Sequence, residues 1–494
     1  MPEMMMSRNL AFSNAVGRFG LGCSALDLPA VDDPRGYVRT QLDMPLMAPD
    51  AKLMSSSDQL QAMMQRRQIA RQRREAMEDA GSGDAKVKQG RGMQGGSMED
   101  GAMAMAPRAE PSMRGGMMEN EAESQVTLGP VTKNPDELIA WLRLAATTRA
   151  PLQERLFLHW SNHFTVSTGK GKGSLTAGAF QREAIRPFIL GRFHDMAKAA
   201  ILHPSMLYYL DNTASTGPDS RVGRIKKSGL NENLGREVLE LHTLGVDGGY
   251  SQADVTALAT VLTGWTVDLK PHSETFGEVV FRERQHQPGP KTILGKRYAE
   301  AGAGEFLAVL TDLARHPSTA RYVTRRMARA FVSEKVSDSL QKSLAKVFMD
   351  SDGDLKAVTA ALIQADEAWT AAPVKLRPPM EFLAATGRLL GQAPVKPSPN
   401  ASLLAMGQPF LAAPSPKGWA EEDDAWVTSD GIKSRIDWAQ QCATLNADHV
   451  DIRKLVDDRI GSYFSVETRR VIRQGESPEQ ALALLMLSPE FQRR

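Results

Sequence analysis

Three histidines and two glutamates carry the chemistry this sequence is equipped to perform. His159 and His163 stand four apart in Leu158-His159-Trp160-Ser161-Asn162-His163-Phe164, so on a helix they share one face. Two imidazoles so placed make half of a metal site and need one or two further ligands. The acid of a zinc-protease HExxH is absent, with Trp160 in its place. The pattern therefore also fits two partly buried histidines packed beside Trp160 and Phe164.

The second segment is Asn231 to Tyr250. Asn231 reads as a helix cap and Gly245 as a helix stop. Asn233, Glu237 and Glu240 fall on one face, and Arg236 pairs with Glu232 and Glu240 by the four-residue rule. On a regular helix His242 points away from them unless the last turn unwinds. So many polar groups beside Val238, Leu239 and Leu241 imply either a buried polar network or a ligand site.

The expected pocket joins the two segments. His159, His163 and His242 would be metal ligands, and Glu240 or Glu237 the general base. Asn231, Asn233, Arg236 and Asp211 would line the pocket, with His286, near Lys291, at its mouth. Histidine and carboxylate ligands suit Zn, Mn or Fe, and an open coordination position would make the protein a metal-dependent hydrolase or oxidoreductase. The competing class is a non-catalytic interaction or assembly protein acting with an exported partner. Two other motifs carry no site. Asp350-Ser351-Asp352-Gly353-Asp354 has its glycine at the fourth position where a calcium loop needs it at the sixth, and Asp354 reads as a helix cap. Gly169 to Gly173 lacks the phosphate-loop spacing.

These residues need elements to hold them, and the pattern is mainly α. A large multi-helix globular domain is expected over 125–494, with one small β-hairpin formed by 277–283 and 291–298. Residues 1–77 read as an N-terminal helical segment packing on it. Residues 78–124 read as a disordered Met/Gly-rich insertion, short of the apolar residues that offset ordering entropy. Its seven methionines between Met93 and Met118 raise copper binding as an idea, but no His or Cys accompanies them, which favours a plain linker. Cys23 and Cys442 read as two buried thiols. With 60 Lys and Arg against 58 Asp and Glu, the near-neutral charge disfavours a nucleic-acid partner. No apolar run reaches membrane-spanning length, and no secretory signal is visible, so the cytoplasm is the default compartment.

Taken in order, "RFGLG" (Arg18 to Gly22), "HWSNHFTVS" (His159 to Ser167), "HPSMLYYLDN" (His203 to Asn212), "NENLGREVLELHTLGVDGGYSQADV" (Asn231 to Val255), "HQPGPKTILG" (His286 to Gly295) and the pair Met406–Phe410 and Pro416–Trp419 resemble the bacterial family named domain of unknown function 1800. The resemblance spans nearly the whole chain except 78–124. It implies no defined activity. It does imply a protein partner from a neighbouring uncharacterised exported family, and a periplasmic location if the two are exported together.

Overall fold

Helix starts in this chain follow local chemistry. Ser251 accepts from the Asp254 amide while Asp254 caps it in return, a reciprocal box that opens Gln252–Leu262. The tripeptide His-Pro-Ser occurs twice, and both times the histidine Nδ1 accepts the amide of the serine, at 3.1 Å in His203 and 3.1 Å in His316. Proline then occupies the first helical position of Pro204–Tyr209 and Pro317–Phe331. Asp354 caps Leu355–Gln364, as its position predicts.

The computed structural model describes residues 10–49, 52–88, 135–169, 175–227, 229–370 and 373–494. It is predominantly helical, with two small hairpins. The helix Ser56–Lys88 continues past the expected boundary at residue 77. The remainder of the expected insertion, with its methionines, lies outside the described residues, as does most of the Gly169 to Gly173 motif.

The expected single hairpin is corrected. Val279–Phe281 pairs antiparallel with Trp265–Val267, and Lys291–Ile293 pairs with Lys296–Tyr298. Leu294 and Gly295 both have positive φ, the two-residue turn that closes a tight hairpin, so the nearer partner wins. Two expected helices are also broken up. Residues 177–188 pass from a short α-helix through the wide turn Gln181–Ile185 to the tight turn Arg186–Phe188, where Pro187 cannot continue an α-helix. The Asn231 segment forms the α-helix Asn233–Glu237 and then the π-helical turn Val238–His242.

One hydrophobic cluster runs from Phe12 to Phe491 and includes Leu60, Trp160 and Phe382. N-terminal residues are woven into it. Phe19 stacks on Trp369 with ring centres 5.1 Å apart, and Arg388 holds Asp27 through two bonds of 2.9 and 3.0 Å with both side chains fully buried. Cys23 and Cys442 are free, buried thiols. Among the described residues no helix is long and apolar enough to cross a membrane.

Candidate functional site

The helix Pro151–His163 carries Arg155, His159 and His163 at four-residue steps, and all three are buried. His163 is fully engaged. The Arg326 Nη1 lies 3.1 Å from its Nδ1, and the carbonyl of His242 lies 3.1 Å from its Nε2. A guanidinium only donates, so Nδ1 accepts and Nε2–H donates, which specifies a neutral ring in one tautomer. His242 is brought round by the π-helical turn and packs 5.2 Å from the Phe164 ring. It is wholly buried, and neither of its ring nitrogens has a partner among the described residues. His159 sits edge-on to Trp160 and Phe331, and its buried Nε2 also lacks a partner among them.

The histidines therefore meet, but in a cationic setting. Burial first, and then the Arg326 charge, hold His159 and His163 well below the ordinary histidine value and push His242 down to about 3. Arg155 and Arg494 add to the effect at His159. That field opposes a divalent cation, and both nitrogens of His163 are already bonded. Among the described residues no group of three or more His, Cys, Asp or Glu is placed to hold a metal ion.

The glutamates lie elsewhere. Glu237 is pushed up to about 7, by burial first and then by Glu240, against the pull of Arg236. Burial first, and then Glu240, push the Tyr250 hydroxyl up. Arg236 is committed to Glu232 at 3.2 Å and Gln252 at 2.9 Å, where the sequence paired it with both Glu232 and Glu240. The Asn231 side chain accepts the Asn233 amide at 2.9 Å, while Asn233 itself is exposed. Asp211 takes a left-handed backbone after the helix Pro204–Tyr209. His286 turns inward, between the Thr263 carbonyl at 2.8 Å and Glu305 at 3.1 Å, with Lys291 at 3.2 Å.

Only one of these expected residues, His159, lines a cleft of about 130 Å³ beside the Pro151–His163 helix. Its walls come from the Pro151–His163 helix and from segments about residues 375–381 and 406–426. Asn162 clasps the backbone of Trp419, donating to its carbonyl at 3.0 Å and accepting from its amide at 2.7 Å. Gln408 accepts the Met380 amide at 2.7 Å, near the start of the helix Pro379–Leu390. Phe410, Trp419 and Trp426 supply apolar surface.

The polar floor is crowded with cations. Glu381 pairs with Arg155 and lies 2.7 Å from Arg494, an ion pair whose angle does not make it a hydrogen bond. Burial opposes its charge, but Arg155, Arg494 and Arg377 together hold its carboxyl below the ordinary value. Glu421 is taken by Arg326 at 2.6 Å. Asp423 is pushed towards its neutral form by burial. Arg155 is pushed down to about 9, by burial and then by Arg494. Lys375, 3% exposed, has no carboxylate hydrogen-bonded to it and donates to the carbonyls of Arg329 at 3.1 Å and Glu421 at 2.9 Å.

Sequence reading missed Arg155, Lys375, Glu381 and Arg494 as site residues. The one available signal was the pair of segments around Phe410 and Trp419, noted for resemblance but assigned no chemistry. A sequence profile described as "Protein of unknown function (DUF1800)" matches residues 14–493. No curated protein and no solved structure matches the chain.

Proposed function

Because the chain belongs to the DUF1800 family, whose description assigns no activity, we propose its function from the site itself: the cleft binds a small organic anion. The observation that carries this reading is the set of three buried guanidiniums, Arg155, Arg377 and Arg494, acting on the single carboxylate of Glu381 at the cleft floor. Buried charge without a full complement is costly, and an anionic ligand supplies what the protein leaves short. The tryptophans and Phe410 suit an apolar portion of the same ligand.

His159 lines the cleft. An imidazole held neutral is a weak base but can donate a hydrogen bond through its one ring N–H. It would act on a carboxylate, or on a developing oxyanion, as an electrophile. We prefer this reading to the metal-dependent one, since the Arg326 charge, which after burial helps to keep the histidines neutral, opposes a metal ion.

The test is ligand-observed NMR and thermal-shift titration with small carboxylates and phosphate esters, beside elemental analysis of the purified protein. Saturable anion binding, weakened at least tenfold in His159→Ala, is expected. A flat response across the panel would refute the reading. Near-stoichiometric metal, lost in a folded His159→Ala/His163→Ala variant, would instead restore the metal centre.

A further inference from the structure

We infer that Lys375 is a nucleophilic amine that forms an imine with a carbonyl-bearing organic anion, of the 2-oxo acid class, held in this cleft. The inference rests on the anion-binding reading and gives its ligand a functional group.

Lys375 is held by backbone on both sides. Its carbonyl accepts the Arg494 amide at 2.8 Å, and Leu376 bridges to Arg493, so the start of its side chain is fixed. Nζ donates to two carbonyls, those of Arg329 and Glu421. A charged ammonium has three hydrogens to place, whereas a neutral amine has two hydrogens and a lone pair. Two carbonyl acceptors, with no third hydrogen-bond partner among the described residues, are the complement of the neutral form. The residue lines the cleft, and the remaining position on nitrogen would be the one offered to a ligand there.

The charges around it agree. Burial and then Arg494 lower Lys375 to about 8, against the opposing pull of Asp423, Glu334 and Glu421. At pH 7 that leaves on the order of 200-fold more free amine than an ordinary surface lysine has. Asp423 lines the same cleft.

The step balances without a further reagent. The amine lone pair attacks the carbonyl carbon, the C–N bond forms, and the C=O π pair moves to oxygen. One amine proton passes to that oxygen to give the carbinolamine, which then loses it as water, the second proton coming from solvent. A protonated imine remains. The ligand's carboxylate, facing Arg155 and Arg494, would orient its carbonyl towards Lys375.

The experiment is reductive trapping on the full-length protein, using pyruvate or glyoxylate with sodium cyanoborohydride, followed by intact-mass measurement and peptide mapping. Ligand binding is measured in parallel by saturation-transfer NMR. One adduct per chain, on the peptide carrying Lys375 and lost in both Lys375→Met and Lys375→Arg, is expected. The arginine variant keeps hydrogen-bond donors for the two carbonyls, so it guards against loss through misfolding. The trapping rate should rise through about pH 8 rather than through the range of surface lysines. Bound pyruvate with no adduct at Lys375, or adducts scattered equally over wild type and variants, overturns the inference and leaves the anion reading intact. No binding by these or any other anion overturns both.

Discussion

Asn162 and Trp419, 257 positions apart, exchange two hydrogen bonds in which one side-chain amide satisfies both the N–H and the C=O of a single residue. Gly418 makes the approach feasible. Its φ is +88°, and a Cβ there would lie 2.5 Å from Asn162 Oδ1 and 2.6 Å from Asn162 O. Asn162→Ala strands two backbone groups and should cost about 2 kcal/mol. Asn162→Asp keeps the acceptor for the amide but sets a charged oxygen against the Trp419 carbonyl, and should cost at least as much. Gly418→Ala adds backbone strain to a clash and should cost at least as much as Asn162→Ala. Urea denaturation followed by tryptophan fluorescence reads all three. Equal stability of Asn162→Ala and wild type would show that the clasp is incidental.

Removing Glu381 should be far worse than removing any one of its partners. Glu381→Gln leaves Arg155, Arg377 and Arg494 facing one another, a loss of about 3–5 kcal/mol for a buried ion network. The sign of its pH dependence follows from its lowered carboxyl. Its stabilisation is present above the unfolded carboxylate value and is lost as pH falls through the lower folded value. Wild type should therefore lose stability below about pH 4.3 more steeply than a folded Glu381→Gln protein does. Parallel slopes would count against the network.

The buried histidines predict sensitivity to mild acid. All three are held neutral in the fold, so the unfolded chain binds more protons as soon as pH drops below the ordinary histidine value. Stability should be full above about pH 6.5 and fall below it by about 1.4 kcal/mol per unit for each histidine. For His242 the decline continues to about pH 3. His242→Phe replaces two unpartnered nitrogens with carbon beside Phe164, so it should stabilise the protein by about 1 kcal/mol or more at pH 7 and flatten the acid slope. Chemical denaturation at pH 5, 6 and 7 decides it, and a steeper slope in the variant would contradict the assignment.

His286 belongs to a separate structural lock. Its ring, Lys291 and the fully buried Glu305 form a closed polar cluster away from the cleft. Glu305→Gln should destabilise by about 3 kcal/mol, because it leaves the Lys291 charge buried and unpaired. Any anion that binds the cleft should keep its affinity in His286→Ala, measured by calorimetry. A tenfold loss would place His286 back at the pocket.

Elements were legible where local chemistry decides them. Pro151 and the four-residue spacing of Arg155, His159 and His163 define a helix without help from the rest of the chain. Asn231 accepts the Asn233 amide, although Glu232 and not Asn231 stands at the cap position of the helix. The π-helical turn at Val238–His242 was not legible, because a single extra residue per turn leaves no mark on the hydrophobic pattern. It carries His242 to the His163 side, where a neutral ring can be buried. Proximity of His286 to Lys291 was visible, but not its inward turn towards Glu305. The cleft was beyond reach for another reason: Arg155, Lys375 and Glu381 acquire their meaning only from packing between distant segments.

The Arg388 guanidinium meets Asp27 across 361 positions and the Gly22 carbonyl across 366. A ribosome adding roughly 5–20 residues per second delivers Asp27 about 20–70 s before Arg388 exists. During that interval the Asp27 carboxylate has the Tyr37 hydroxyl and solvent to hold it, but no guanidinium. The native interior is thus completed late in synthesis, and a stalled or shortened product would present residues 12–27 as a sticky, unfinished surface.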